Sequence, residues 1–217
     1  MQSIGLELHK LFNNQKRYSF PFSKYRKEIP SNGIYIIFEH GEKFRDFDRV
    51  VRIGTHTGHN QLYSRLKEHF INKNKNRSIF RKNIGRCILN REQNPYLRIW
   101  NLDTTTAEDK KANISWVDFE FEKQMEERIS NYIQENLSFC VFNVDTKEER
   151  LFWESKIAST LAQENDIVPS REWLGNYSPK EKIRESGLWQ VNGLEGEVIS
   201  EKELLELKAL LEENSYK

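Results

Sequence analysis

Apolar residues follow two periods along this chain, and the two alternate. "SNGIYIIF", Ser31 to Phe38, places turn residues before a β-branched and aromatic run and predicts a half-buried strand from Gly33 to Glu39. A second strand is expected from Asp48 to Ile53, joined to the first by the polar "HGEKFRDF" as a surface hairpin loop. "LSFCVFNV", the most apolar run, suits a third, central strand.

The helical period appears first at residues 3–13, with Ser3 as N-cap and Ile4, Leu6, Leu8, Leu11 and Phe12 near one side. It returns from about Leu62 to Asn72, with Leu62, Leu66 and Phe70 inward. From about Ser78 to Asn90, Ile79, Ile84, Ile88 and Leu89 point inward and the arginines outward. A helix is expected from about Phe121 to Asn136. Another follows in "DTKEERLFWESKIASTLAQEN", where Asp145 or Thr146 caps and Glu148 or Glu149 approximates a capping box. The acidic "ISEKELLELKALLEE", capped by Ser200, comes last. "NQKRYSFPFSKYRKEIP" (14–30) reads as irregular, and "TTTAEDKKANISW" as a surface excursion.

These elements predict an α+β fold: a small three-stranded antiparallel sheet flanked by helices, with N-terminal and C-terminal helical additions. The expected division is an arm at 1–30, a principal domain at 31–165 with an insertion at about 92–120, and a turn-rich and helical extension at 166–217. No run reaches the roughly 18 apolar residues of a membrane span. The polar, periodic start is unlike a secretory leader, so a cytoplasmic location is expected. Cys87 and Cys140 sit in apolar settings with no zinc or redox spacing and read as buried thiols.

The formal net charge of +1 does not by itself announce a nucleic-acid partner. Its distribution says more, because from Arg65 to Arg91 the chain is strongly basic against the single acid Glu68. Lys73, Lys75, Arg77, Arg81, Lys82 and Arg86 are the candidates for phosphate contacts on a DNA duplex; the alternative is a solvated helix face.

Glu154 is the clearest candidate for chemistry. At about 100° per residue, Leu151, Ile157, Ala158 and Leu161 fall within about 60° of it, so its carboxylate lies in an apolar stripe. A carboxylate there must meet a cation, a set of donors or a metal. An ion pair with Arg52 is one solution. Mg²⁺, with Mn²⁺ as substitute, is the other, since it needs few protein ligands and keeps much of its water. Arg65, at the edge of its stripe, can grip a phosphate through two N–H groups, and His69 lies one turn further on. Tyr35 is either a packing residue or a group that acts on water. His56 and His59 occupy the glycine-bearing loop "IGTHTGHN", where they could contact substrate or relay a proton. Asn176 and Tyr177 follow in "WLGNYS".

The order of these residues resembles the GIY-YIG nuclease superfamily. Gly33-Ile34-Tyr35 matches its first motif, Arg52-Ile53-Gly54 stands at the second with arginine for tyrosine, "SRLKEHF" matches the arginine-bearing helix, and Glu154 matches the metal-binding glutamate. The substitution is similar to restriction-type members with a basic residue at that place. The resemblance implies a Mg²⁺-dependent endonuclease acting on double-stranded DNA. Tyr35 would activate water, Arg65 and Arg52 would stabilise phosphoryl charge, His56 and His69 would assist, and Glu154 would hold the ion. A homodimer is one way to cut both strands. Two other readings stay open: a DNA-binding module of the same fold without turnover, and a helical interaction domain using the acidic C-terminal helix.

Overall fold

The apolar run at Ile34 becomes the longest strand of the structure, a computed structural model that describes residues 3–215. In chain order the elements are α1 (Ile4–Asn13), β1 (Tyr18–Ser19), β2 (Ile34–Phe44), β3 (Phe47–Gly54), α2 (Leu62–Phe70), α3 (Ile79–Arg91), α4 (Leu97–Trp100), α5 (Ala107–Asn113), α6 (Phe119–Asn136), β4 (Leu137–Phe142), α7 (Lys147–Ala162), α8 (Glu181–Ser186) and α9 (Glu201–Ser215). The sheet is antiparallel with order β1-β4-β2-β3. It therefore contains the three expected strands and adds β1, a two-residue strand from the segment expected to be irregular. Among the described residues no helix is long and apolar enough to cross a membrane.

β2 is covered on both faces, not half-buried. Ile34, Ile36 and Phe38 pack with Leu8 and Phe12 of α1, Ile157 and Leu161 of α7 and Leu207 of α9. Tyr35 and Ile37 face the opposite core, built from Leu66 and Phe70 of α2, Phe80 and Ile84 of α3, and Ile129 and Ile133 of α6. A strand sandwiched in this way needs apolar residues at consecutive positions, which is why "IYIIF" does not alternate. The N- and C-terminal helices close one side of the sheet together.

"HGEKFRDF" is not a surface loop. Phe44 pairs with Phe47 across a two-residue turn, in which Arg45 takes a left-handed φ of 53°. Glu42 and Phe44 are buried, and Glu42 accepts hydrogen bonds from Arg49 Nε and Nη2 at 3.0 and 2.6 Å. The charge on Glu42 hides the strand pattern in the sequence, because its neutralising partner lies on the next strand. Further back, Ile37 pairs with Arg52 but Phe38 with Val50, so Val51 is an extra residue in β3. This bulge lets Val51 join the core that contains Tyr35 while Arg52 stacks over the ring of Phe80, 5.0 Å away, on that same side.

The outer side of β3 is occupied by polar groups from distant segments. Asn13 accepts from Asp48 N and donates to Asp48 O, both at 3.0 Å, and His9 Nε2 accepts from Val50 N at 3.1 Å. Trp189 N donates to Val51 O at 2.7 Å, and Gln190 Oε1 accepts from Ile53 N at 3.1 Å. Residues around 189 are also anchored through Glu39, whose Oε2 accepts from both Trp173 Nε1 and Trp189 Nε1 at 2.9 Å.

The basic segment turns inward where the sequence predicts outward arginines. Arg81 is fully buried and pairs with Glu126 of α6 at 2.5 Å, with Arg81 Nη1 donating to His69 O at 3.0 Å. Lys75 is buried in an ion pair with Glu122 and lies 4.4 Å from the Trp100 ring centroid. Arg86 Nε donates to Asn101 Oδ1 at 2.7 Å, and Lys82 Nζ to Leu102 O at 3.4 Å. These cations bind the expected insertion and α6 to α3, and Trp100 fits because Gly85 has no side chain: a Cβ there would lie 2.5 Å from the indole. Ile79, expected inward, is 45 % exposed instead. Cys87 and Cys140 are free and buried, as the sequence suggests, and burial pushes both thiols up to about 12.

Candidate active site

Tyr35 projects from β2 toward α2, and its hydroxyl lies 2.8 Å from His69 Nε2. The other ring nitrogen of His69, Nδ1, is 2.8 Å from Ser78 Oγ, and Ser78 is also the N-cap of α3. Gly54, paired with Tyr35 across the strands, makes room for the phenol: a Cβ there would sit 2.1 Å from the hydroxyl oxygen. His69 is completely buried. Burial first, then the charges of Arg52, Arg65 and Arg81, hold its pKa well below the usual imidazole value, so the ring is neutral. A neutral imidazole has one donor and one acceptor nitrogen, and both are engaged here.

Beyond Gly54 the strand ends, and α7 brings Glu154 to that end from the other side of the sheet. Burial raises the pKa of its carboxyl, while Arg52, the backbone N–H of Thr55 and Arg65 oppose the shift. Leu151, expected in the same apolar stripe, is 40 % exposed. The helix stays buried at Trp153 and Arg150, so Glu154 is a partly buried carboxylate at the margin of the packed face of α7. No ion pair forms between Glu154 and Arg52. Arg52 Nη1 instead donates to Trp189 O at 2.5 Å, and its Nε is buried without an acceptor. Arg65 lines a cleft of about 560 Å³ with Thr55 and Arg77, and its Nη1 donates to Arg77 O at 3.0 Å. Tyr35, 1 % exposed, is not in the wall of that cleft, and neither are Arg52, His69 and Glu154.

His56 lines the same cleft as Arg65. Its Nε2 accepts from Gly33 N at 3.3 Å and its Nδ1–H donates to Gly58 O at 2.8 Å. Both nitrogens hold the loop against the first motif. Arg150, which carries no signal in the sequence, grips the same loop: it is buried and donates to the carbonyls of Gly58 at 3.1 Å and His56 at 3.4 Å, and it ties the loop to Asp145 O, 2.6 Å away, ahead of α7. His59 is exposed. Asn176 is engaged locally, donating to Ser170 O at 2.8 Å. Ser78 and Thr55 also escape sequence reasoning. Only the capping position of Ser78 carries a signal, and nothing in the sequence aims it at His69.

The buried neutral histidines set an acid limit on the fold. Burial pulls His9 down to about 4, with Val50 N donating to its Nε2. Between about pH 7.5 and about pH 5.5 the unfolded chain takes up protons at these rings and the native state does not. Stability therefore falls with pH, by about 1–2 kcal/mol for each of His9 and His69. Urea unfolding at the two pH values should show a loss of about 3 kcal/mol; equal stabilities would contradict the neutral assignment.

Of the expected DNA-contacting cations, Lys73 and Arg77 are exposed, whereas Lys75, Arg81, Lys82 and Arg86 are buried. Lys73 pairs with Glu127. Among the described residues, no group of three or more His, Cys, Asp or Glu side chains could hold a metal ion.

A sequence model of the GIY-YIG domain matches residues 6–216, which takes in the terminal helices as well as the motifs. No curated protein and no solved structure matches the chain. With the match covering nearly the whole length, and with the sheet carrying Tyr35 against the Arg65 helix and Glu154 at its end, the chain belongs to the GIY-YIG family of nuclease-type domains.

Proposed function

We propose that this chain is a divalent-metal-dependent endonuclease that hydrolyses phosphodiester bonds in double-stranded DNA, with Mg²⁺ as the metal and Mn²⁺ able to replace it. The observation that carries the reading is the Tyr35–His69 hydrogen bond of 2.8 Å, with the charges of Arg52 and Arg65 acting both on His69 and on Glu154. The donor set fits a Mg²⁺ site: Glu154 offers one hard oxygen ligand free of an ion pair, and Mg²⁺ completes its shell with water and phosphate oxygens. A bound Mg²⁺ would neutralise charge on the phosphate and on the departing oxygen.

The chain's own groups divide the remaining work. Arg65 receives the scissile phosphate from the cleft and stabilises its developing charge through the N–H groups that Arg77 leaves free. Arg52, fixed by Trp189 O, adds a second positive charge where the family's second tyrosine stands. Tyr35 orients the attacking water and takes its proton as its own passes to His69 Nε2. The water oxygen forms the new P–O bond as the ester P–O bond breaks, and the departing oxygen takes a proton from solvent. Without DNA, burial first and then Arg52, Arg65 and Arg81 disfavour a protonated His69; a phosphate bound to Arg52 and Arg65 offsets their part of that penalty. Because Tyr35 is sealed from solvent, DNA binding must also open its hydroxyl to water. Restriction-type cutting of both strands needs two copies or two successive nicks.

Supercoiled plasmid tests the proposal. Nicking in Mg²⁺ or Mn²⁺ that EDTA abolishes is the expected result. Plasmid left intact by a protein that still shifts duplex DNA on a gel would assign the chain to binding without turnover.

A further inference from the structure

A second cleft, of about 530 Å³, continues from the first: Asn76, Arg77 and Thr105 line both. Its walls come from the link between α2 and α3 on one side and from α5, α6 and the turn before α5 on the other. The charges within it do not cancel. Glu122 is neutralised by buried Lys75, Glu126 by buried Arg81, and Lys73 by Glu127 outside the cleft. Arg77, Lys110 and Lys123 remain exposed, and among the described residues none of them enters an ion pair.

We infer that this second cleft is a phosphate track, in which Lys110 and Lys123, together with Arg77, hold the DNA backbone flanking the scissile phosphate. The inference rests on the endonuclease reading and deepens it. A strand held at Arg65 continues in one direction past Arg77, and there it meets three unpaired cations in a polar trough. A polyanion of regular charge spacing is the partner that this surplus fits. The carboxylates in the trough are tied to buried cations, so they do not repel it. The track also gives the insertion a purpose: Trp100 and the inward-facing cations lock its base to α3, and Lys110 is presented from α5, between that base and α6. The DNA surface is therefore displaced from the face of α3, where the sequence placed it, to the insertion opposite.

The test is fluorescence anisotropy of the full chain with a labelled duplex of about 30 base pairs in EDTA, over a range of KCl concentrations. Every phosphate that a variant ceases to neutralise should flatten the slope of log affinity against log salt by about 0.9. Lys110→Ala/Lys123→Ala should therefore reduce the slope by about 2 and weaken binding about tenfold or more. Its single-turnover cleavage rate at saturating enzyme should stay within about threefold of wild type, since neither lysine touches the reacting phosphate. Lys180→Ala/Lys202→Ala, which removes two exposed cations elsewhere, should change neither quantity. An unchanged slope in the first variant, or an equal drop in the second, overturns the track and leaves the endonuclease reading standing if wild type cuts plasmid. A wild type with no salt-dependent affinity for the duplex overturns both.

Discussion

Glu154→Ala is expected to abolish metal-dependent plasmid nicking, by about 10³-fold or more, while gel-shift affinity for duplex DNA in EDTA is retained. The size follows from the several kcal/mol of charge stabilisation that a divalent ion supplies, at a factor of ten in rate for every 1.4 kcal/mol or so. The substitution should not damage the fold. Glu154 is only partly buried, has no ion pair among the described residues, and has its ionisation opposed by burial, so removing the carboxylate relieves a desolvation cost. Thermal unfolding should therefore stay at the wild-type temperature or rise. Cleavage within about tenfold of wild type would remove Glu154 from the proposed metal site, and absent cleavage with a lowered unfolding temperature would make its role structural.

Glu126→Ala should have the largest effect on stability. It strands the Arg81 guanidinium in the interior, and breaking a buried pair from one side costs about 3–5 kcal/mol. Urea unfolding measures the loss. The paired replacement Arg81→Met/Glu126→Leu should recover most of it, since apolar residues of similar volume often replace a buried ion pair at little cost. A loss below about 1 kcal/mol for Glu126→Ala would mean that Arg81 reaches solvent, and the outward-facing basic helix expected from the sequence would return to consideration.

That helix shows where sequence reasoning stops. The strand and helix order, the GIY motif and the position of Glu154 are all readable, because each depends on residues close together in the chain. The direction of Arg81, Lys82 and Arg86 depends on α6 and on the turn after α4, and no local period reports those partners. The same holds for "HGEKFRDF", where the carboxylate of Glu42 conceals a strand because Arg49 neutralises it across the hairpin. Among the site residues, Tyr35, Arg52, Arg65, His69 and Glu154 stand out from motif order. The loop-fastening arrangement of His56 is not readable, since its two partners are backbone groups of Gly33 and Gly58.

The polar groups along the outer side of β3 have a consequence for self-association. A terminal strand with free N–H and C=O groups is a template on which another molecule's strand can add. Here the chain supplies its own side chains and the 189–190 segment at Asp48, Val50, Val51 and Ile53, so that template is already filled. One of those fillers is His9, which can no longer accept from Val50 N once its ring is protonated. Protonation of His9 would thus bare part of a ladder rim.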